Sequence, residues 1–257
     1  CKFTISLILY LMRIPYRLKK LFWQYFPPKS PLYKSLRFYL KDLKSLEIGG
    51  PSPYFTDRGF LPIYNSLKSC DNAICSPTNI HASYPENGSD YLPSTPGKNY
   101  LIDASQALPN KYQCILSSHV IEHLSNPLKS ILLWKSHLME PGYLLIIAPY
   151  KQNTFDHKRP DTNFNHLLED YNLDISESDQ THFDEIRQFH DFSKHNFDPS
   201  PADYYYMLNN NEHYRIAHHH VFNLGLLEQC IDWADLKIIF SATIDPISNL
   251  ILAKLKD

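Results

Sequence analysis

The sequence has no excess charge of either sign: 25 Lys and Arg stand against 27 Asp and Glu, a net charge of -2. A chain that wraps nucleic acid needs a basic stripe to neutralise phosphates, so nucleic acid is not an expected partner. Cysteine is sparse and unpatterned. Cys1, Cys70, Cys75, Cys114 and Cys230 make an odd number with no CxxC spacing. That excludes a disulfide framework and a zinc knuckle and fits a reducing, cytoplasmic setting. Long hydrophobic runs are also missing. The apolar stretch at residues 5–12 is far short of the ~20 residues that cross a bilayer. No small-residue cleavage site follows it, so it does not read as a secretory signal. The sequence opens on Cys1 rather than Met, and truncation at its start is the expectation that follows. No GxGxxG occurs after a strand-like segment, which counts against a dinucleotide-binding oxidoreductase, and there is no internal repeat.

What is present reads as one sizeable α/β domain with an embellishment. At 257 residues, 43% apolar and 20% charged, the chain can bury a real core but is short for two domains. Residues 1–26 join the apolar run to a basic, aromatic one (Arg13, Arg17, Lys19, Lys20, Phe22, Trp23). They read as an amphipathic helix packed on the domain or, more sharply, as a peripheral membrane contact. Pro27, Pro28 and Pro31 end it. A short helix is expected over 32–43, then a strand, Ser45-Leu46-Glu47-Ile48, closed by Gly49-Gly50. Further strands are expected at 70–75, 99–102 and 112–117, with a proline-rich loop over 76–98. Pro127 opens a helix whose apolar residues Leu128, Ile131, Leu132, Trp134 and Leu138 recur at helical spacing, and Glu140-Pro141-Gly142 closes it. Residues 143–148 read as a buried parallel strand. Residues 149–220 are rich in His, Asp, Asn, Tyr and Phe and lack aliphatic periodicity. A helix at 224–233 and strands at 236–242 and 249–255 complete the chain. Those last two strands have no room for a crossover helix, so they must pair antiparallel. The expected organisation is a helical segment, 1–43, and a domain, 44–257. Strands alternating with helices give the domain a mostly parallel seven-stranded sheet ending in an antiparallel hairpin, with a cap insertion, 149–220, after the fifth strand.

In open α/β sheets the ligand lies at the carboxyl ends of the strands, near the switch point. Gly49-Gly50, Asp71, Asp103-Ala104 and Ser117-Ser118-His119 each fall near the end of a successive strand. Taken singly, the glycines are an ordinary turn and each Asp a cap; their joint placement is what points to a site. Of 13 histidines, His119 sits best to act as a base, with His123 one turn on. His157, with Arg159, leaves the fifth strand at the cleft, and His190 is expected on a helix. The triplet His218-His219-His220 invites a metal reading, but neighbours on an extended segment point to opposite faces. Cleft-edge hydrogen bonding or packing is expected there, and no metal.

These residues also carry a family resemblance. Leu46-Glu47-Ile48-Gly49-Gly50-Pro51-Ser52 resembles the first motif of S-adenosylmethionine (SAM)-dependent methyltransferases. The segment 117–128, Ser-Ser-His-Val-Ile-Glu-His-Leu-Ser-Asn-Pro-Leu, is similar to the signature of the type 11 methyltransferase domain, and 138–146 to its next motif. The resemblance covers about residues 44–150 and implies a class I, Rossmann-like methyltransferase with SAM as cofactor. It implies cofactor contacts from Glu47, Gly49, Gly50, Ser52, Asp71 (ribose), Asp103 and Ala104 (adenine), Ser117 and Ser118. Catalytic candidates are His119, His157, Arg159 and His190, acting on a small-molecule, glycan or lipid-linked acceptor. The family's usual GxGxG is replaced by Gly49-Gly50-Pro51-Ser52-Pro53, in which backbone groups and Ser52 would cradle the cofactor. An NAD-type oxidoreductase and a non-catalytic module that keeps the fold are the alternatives.

Overall fold

Helix α1 (Pro31–Leu40) leads into β1 (Lys44–Ile48), and β2 (Ser69–Ile74), β3 (Asn99–Leu101), β4 (Tyr112–Ser118) and β5 (Leu138–Pro149) follow along the chain. This is a computed structural model, and it describes residues 31–56, 59–74, 96–194, 200–245 and 247–256. The N-terminal segment 1–26 and most of the 76–98 loop lie outside the described residues. Helix α2 (Pro127–Ser136) joins β4 to β5, and α7 (Leu224–Trp233) precedes the final strands β6 (Leu236–Asp245) and β7 (Ser248–Leu255). Between β5 and α7 lie α3 (Phe164–Asn172), α4 (Phe183–Phe189), α5 (Pro201–Asn209) and α6 (Asn211–Tyr214), which build the cap.

The seven strands hydrogen-bond in the order β3-β2-β1-β4-β5-β7-β6. Pairings from β3 through β5 are parallel, and β7 runs antiparallel to both β5 and β6. The expected sheet and its terminal hairpin are therefore present. Both faces are buried, and period-two alternation sorts the side chains between them. Ile115, Leu144 and Ile146 pack under α2 and α7 with Leu128, Ile131, Trp134, Leu227 and Ile231. Cys114, Leu116, Leu145 and Ile147 face the other way, onto Leu36 and Leu40 of α1 and Phe55, Leu61 and Tyr64 of the β1–β2 connection. The cap has its own apolar centre, formed by Phe183, Ile186, Tyr204, Leu208 and Ile216.

Two expectations need correction. Leu138-Met139-Glu140-Pro141-Gly142 does not end the helix. α2 stops at Ser136, and Leu138 already pairs with Tyr112 as the start of β5, with a register shift between Tyr112 and Cys114. Burial of Leu138 against the sheet outweighs its fit to the helical period. Strands and helices also do not alternate throughout. The β1–β2 connection uses 3₁₀ turns at Pro53–Phe55 and Tyr64–Ser66, and 102–111 passes from β3 to β4 without a helix. Pro51 and Pro53 lack the N–H groups a longer helix would need.

Candidate active site

The strand order reverses at β1, which lies between β2 and β4, so the loops after β1 and β4 open the cleft. Gly49 holds φ +74, and a Cβ there would lie 2.4 Å from Val120 Cγ2. A Cβ on Gly50 would lie 2.4 Å from the Glu47 carboxyl. Both glycines are thus demanded by close packing inside the protein. Glu47 is itself buried, at 1% exposure. Its Oε1 accepts the Ser52 N–H at 3.1 Å, and its Oε2 bonds the Tyr64 hydroxyl. The Ser52 N–H also points at the Tyr64 hydroxyl, at 2.9 Å. Burial pushes the Glu47 carboxyl up to about 8, against the opposing effect of the Tyr64 and Ser52 bonds. Glu47 therefore holds the loop from beneath as a neutral acid, with its polar atoms committed to the protein.

Ser52 and Ser118 meet across the cleft floor, Oγ to Oγ at 3.3 Å. Next to them His119, directly after β4, lies in the left-handed region, at φ +55. A non-glycine residue there is uncommon, and such strain clusters at functional sites. The ring is held on three sides. Its Nε2 lies 3.4 Å from Ser248 Oγ, its Nδ1 lies 3.6 Å from Glu122 Oε1, and the Tyr54 ring packs 5.5 Å away. The Tyr54 hydroxyl completes the link to Ser248 at 2.5 Å. Glu122 is 1% exposed, and neither carboxylate oxygen has a hydrogen-bond partner; Ser117 Oγ is likewise buried without one. Glu122 instead faces two imidazoles, His119 and, at 4.0 Å, His123 Nε2.

Beyond His123 the polar contacts run into the cap. His123 Nδ1 bonds the Ala217 carbonyl at 3.1 Å, and its ring meets His218 edge-on at 4.5 Å. His218 Nδ1 lies 2.5 Å from Asp156. Burial acts to raise the Asp156 carboxyl, but His218 and Arg159 prevail and hold it down at about 2. Sequence reasoning did not single out Glu122, Tyr54 or Ser248; Asp156 was expected to help orient a polar acceptor, and it is instead bonded to His218 and Arg159. Glu122 was within reach, three residues past His119 in the signature segment. Ser248 and Tyr54 come from distant chain segments and left no local signal.

The remaining candidates fall elsewhere. Asp71 lies mid-strand, opposite Leu46, and its carboxylate accepts the Tyr112 O–H and the Lys98 N–H, each at 2.9 Å. Tyr112 begins β4, so Asp71 serves the amino end of the sheet and is not placed for a ribose there. Asp103 follows β3 as expected, but it caps Ser105 and pairs with Arg215 at 3.1 Å, closing that corner onto the cap. An open depression of about 370 Å³ lies on the cap side of this turn, lined by Asp103, Gln106, Glu177 and Arg215. Ala104 is buried, and its carbonyl accepts the Trp134 indole N–H at 2.8 Å. Arg159 is 2% exposed and fully engaged: Glu185 at 2.7 Å, Asp156 at 3.0 Å, and the carbonyls of His218 and His219. It is the cap's internal brace and cannot orient an acceptor. His190 is packed among Phe155, Phe192 and Tyr204, with centroids 4.3–4.6 Å away. His157 bonds Asp191 at 2.8 Å on the cap's outer part. These three were expected at the reacting atoms because they are polar and follow β5, but tertiary contacts inside the cap occupy them.

No protein-family model and no curated protein matches the chain. Solved structures do. An S-adenosylmethionine-dependent methyltransferase from Clostridium acetobutylicum ATCC 824 aligns over 100% of both chains at 13% identity, with a TM-score of 0.51. The trans-methyltransferase CalH, in complex with SAH, aligns over 88% of this chain and 55% of its own at 13% identity, TM-score 0.51. An O-methyltransferase family 2 protein from Planctomyces limnophilus DSM 3776 aligns over 84% of this chain and 50% of its own, at 15% identity and TM-score 0.44. The chain spans about half the length of those last two. At such identities the likeness concerns the fold, which is the Rossmann-like methyltransferase fold.

Proposed function

We propose that the chain is a SAM-dependent methyltransferase acting on a small-molecule, glycan or lipid-linked acceptor bound between the sheet edge and the cap. The observation that carries this reading is the juncture of Gly49, Ser52, Ser118 and His119 at the switch point of a sheet with this strand order. The donor set suits a cationic ligand: hydroxyls of Ser52 and Ser118, and beside them buried Ser117 and Glu122 oxygens without hydrogen-bond partners. When bound, SAM supplies a methyl on a sulfonium, whose C–S bond breaks as the bond to the acceptor forms, leaving a neutral thioether.

The chain's own contribution is to align, to exclude water and to hold a proton. His119 Nε2 accepts the proton that an acceptor hydroxyl loses as its oxygen takes the methyl. Glu122, behind Nδ1, steadies the resulting imidazolium in a site where an unpaired charge would be costly. Ser248 and Tyr54 fix the ring's tilt. The cap, pinned by Arg159, closes over the cleft.

One observation favours the non-catalytic alternative: the Ser52 N–H is already bonded to Glu47 and Tyr64. Calorimetric titration of the full chain with SAM and with its demethylated product separates the readings. Micromolar binding of both supports the methyltransferase, and no heat with either overturns it. A methyl-transfer assay on extracts with labelled SAM then distinguishes an enzyme from a binder.

A further inference from the structure

The triplet at 218–220 does not act as a unit. His218 bonds Asp156, His219 Nε2 lies 3.2 Å from the Asn211 amide, and His220 turns toward α3. There it meets three residues from two other segments. His166 and Asp170 stand one turn apart on α3, and His182 immediately precedes α4. His166 Nε2 lies 3.0 Å from His182 Nε2 and 3.5 Å from Asp170 Oδ2, and His220 Nε2 lies 3.6 Å from the same Oδ2. One ligand atom from each of the four falls within 4.8 Å of all the others.

We infer that His166, Asp170, His182 and His220 form a tetrahedral binding site for a divalent transition metal of the zinc type. Metal–nitrogen and metal–oxygen bonds of about 2.0–2.2 Å put tetrahedral ligand atoms about 3.4 Å apart. The three separations above bracket that value. Asp170 is 8% exposed, and its Oδ2, the atom common to two of these approaches, is buried without a hydrogen-bond partner. Two imidazole Nε2 atoms face each other at 3.0 Å, joined without an ion by one N–H···N bond; an ion that displaces that proton takes a lone pair from each. Three imidazoles and one carboxylate are the donors that zinc-like ions prefer. The Ser125 carbonyl, 3.3 Å from His220 Nε2, gives up that contact when the nitrogen turns to the metal.

With four protein ligands no coordination position remains for substrate, so the ion clamps structure and takes no part in the chemistry. It ties α3, the turn before α4 and the segment before α7 together. The clamp sits against the start of α2, because the amide of its N-cap, Asn126, bonds the Asp170 carbonyl at 3.0 Å. The cap is thereby fixed relative to Glu122 and His119. This inference does not depend on the methyltransferase reading.

The test is elemental analysis of the full chain, purified without a polyhistidine tag, then chelated and reloaded with zinc or cobalt. Wild type is expected to hold about one ion per chain, with cobalt giving the strong visible absorption of tetrahedral coordination, and to lose thermal stability on chelation. Asp170→Asn and His182→Ala should each cut occupancy to about one tenth or less, and His157→Ala should leave it intact. Circular dichroism checks that the variants remain folded; Asp170→Asn preserves the side chain's shape. The nearby Glu122, His123 and His218 also converge, and Glu122→Gln tests them. If Glu122→Gln, and not Asp170→Asn, abolishes binding, or if wild type takes up no ion, the assignment is overturned.

Discussion

Glu47 permits a quantitative test of the loop's support. Its carboxyl is fully buried under Ser52 and titrates near 8, against 4.5 for the ordinary group, with desolvation as the main cause. Between those values the folded chain keeps a proton that the unfolded chain has released. The native state then binds more protons, and stability falls as pH rises. Below about pH 4.5 both states are protonated and nothing is lost; above about 8 the full loss has accrued. A difference of 3.5 (8 minus 4.5) corresponds to about 5 kcal/mol, an upper figure because the protein can relax around a buried charge. Glu47→Gln removes the titration while keeping the geometry: the amide oxygen accepts the Ser52 N–H, and the NH₂ donates to the Tyr64 hydroxyl. Urea unfolding of both proteins from pH 5 to 9 is the assay. The two should be close at pH 5, and the variant should gain an advantage of several kcal/mol by pH 9, on the order of the figure above. A difference that stays flat across this range would refute the reasoning. So would a variant less stable than wild type at high pH.

Arg159→Ala should cost about 3–5 kcal/mol, because it leaves Asp156 and Glu185 without their buried partner. The loss should appear as faster hydrogen exchange across the cap, and Arg159→Lys should not restore it, since lysine lacks the fork that reaches four acceptors. Gly49→Ala should destabilise by about 2–4 kcal/mol, through its positive φ and the contact with Val120. Adding Val120→Ala should recover only the steric share in thermal unfolding, and full recovery would show that backbone conformation contributes nothing. His119→Asn, which tolerates the left-handed backbone, should lower methyl transfer by roughly 10²–10⁴-fold while leaving SAM affinity unchanged. Equal turnover in that variant would remove His119 as the base.

Periodicity and punctuation were enough to place the architecture. Residues 143–148 and 249–255 are apolar runs of strand length, and the chain between 242 and 249 is too short for anything but an antiparallel return. Gly49-Gly50 and Ser117-Ser118-His119 could be assigned to the cleft because topology alone carries strand ends to one edge. Local pattern was also decisive for Pro127, which opens α2 behind its Asn126 cap.

The roles of the polar side chains lay beyond that reach. Asp71 reads like a strand-end carboxylate until Tyr112, 41 positions away, is seen to claim it. Arg159 reads like a catalytic group at the cleft, yet its partners come from residues 156, 185, 218 and 219, which only the folded cap assembles. The histidine triplet looked like one feature and is three, because each ring is drawn to a different segment. Hydrophobic periodicity is a local property that repeats along the chain, so sequence alone determined the sheet, its hairpin and the edge at which the site is proposed. Hydrogen-bond and ion-pair partners are set by distance in space, so the tertiary structure decided which of the charged and imidazole groups face the cleft and which are consumed in holding the cap.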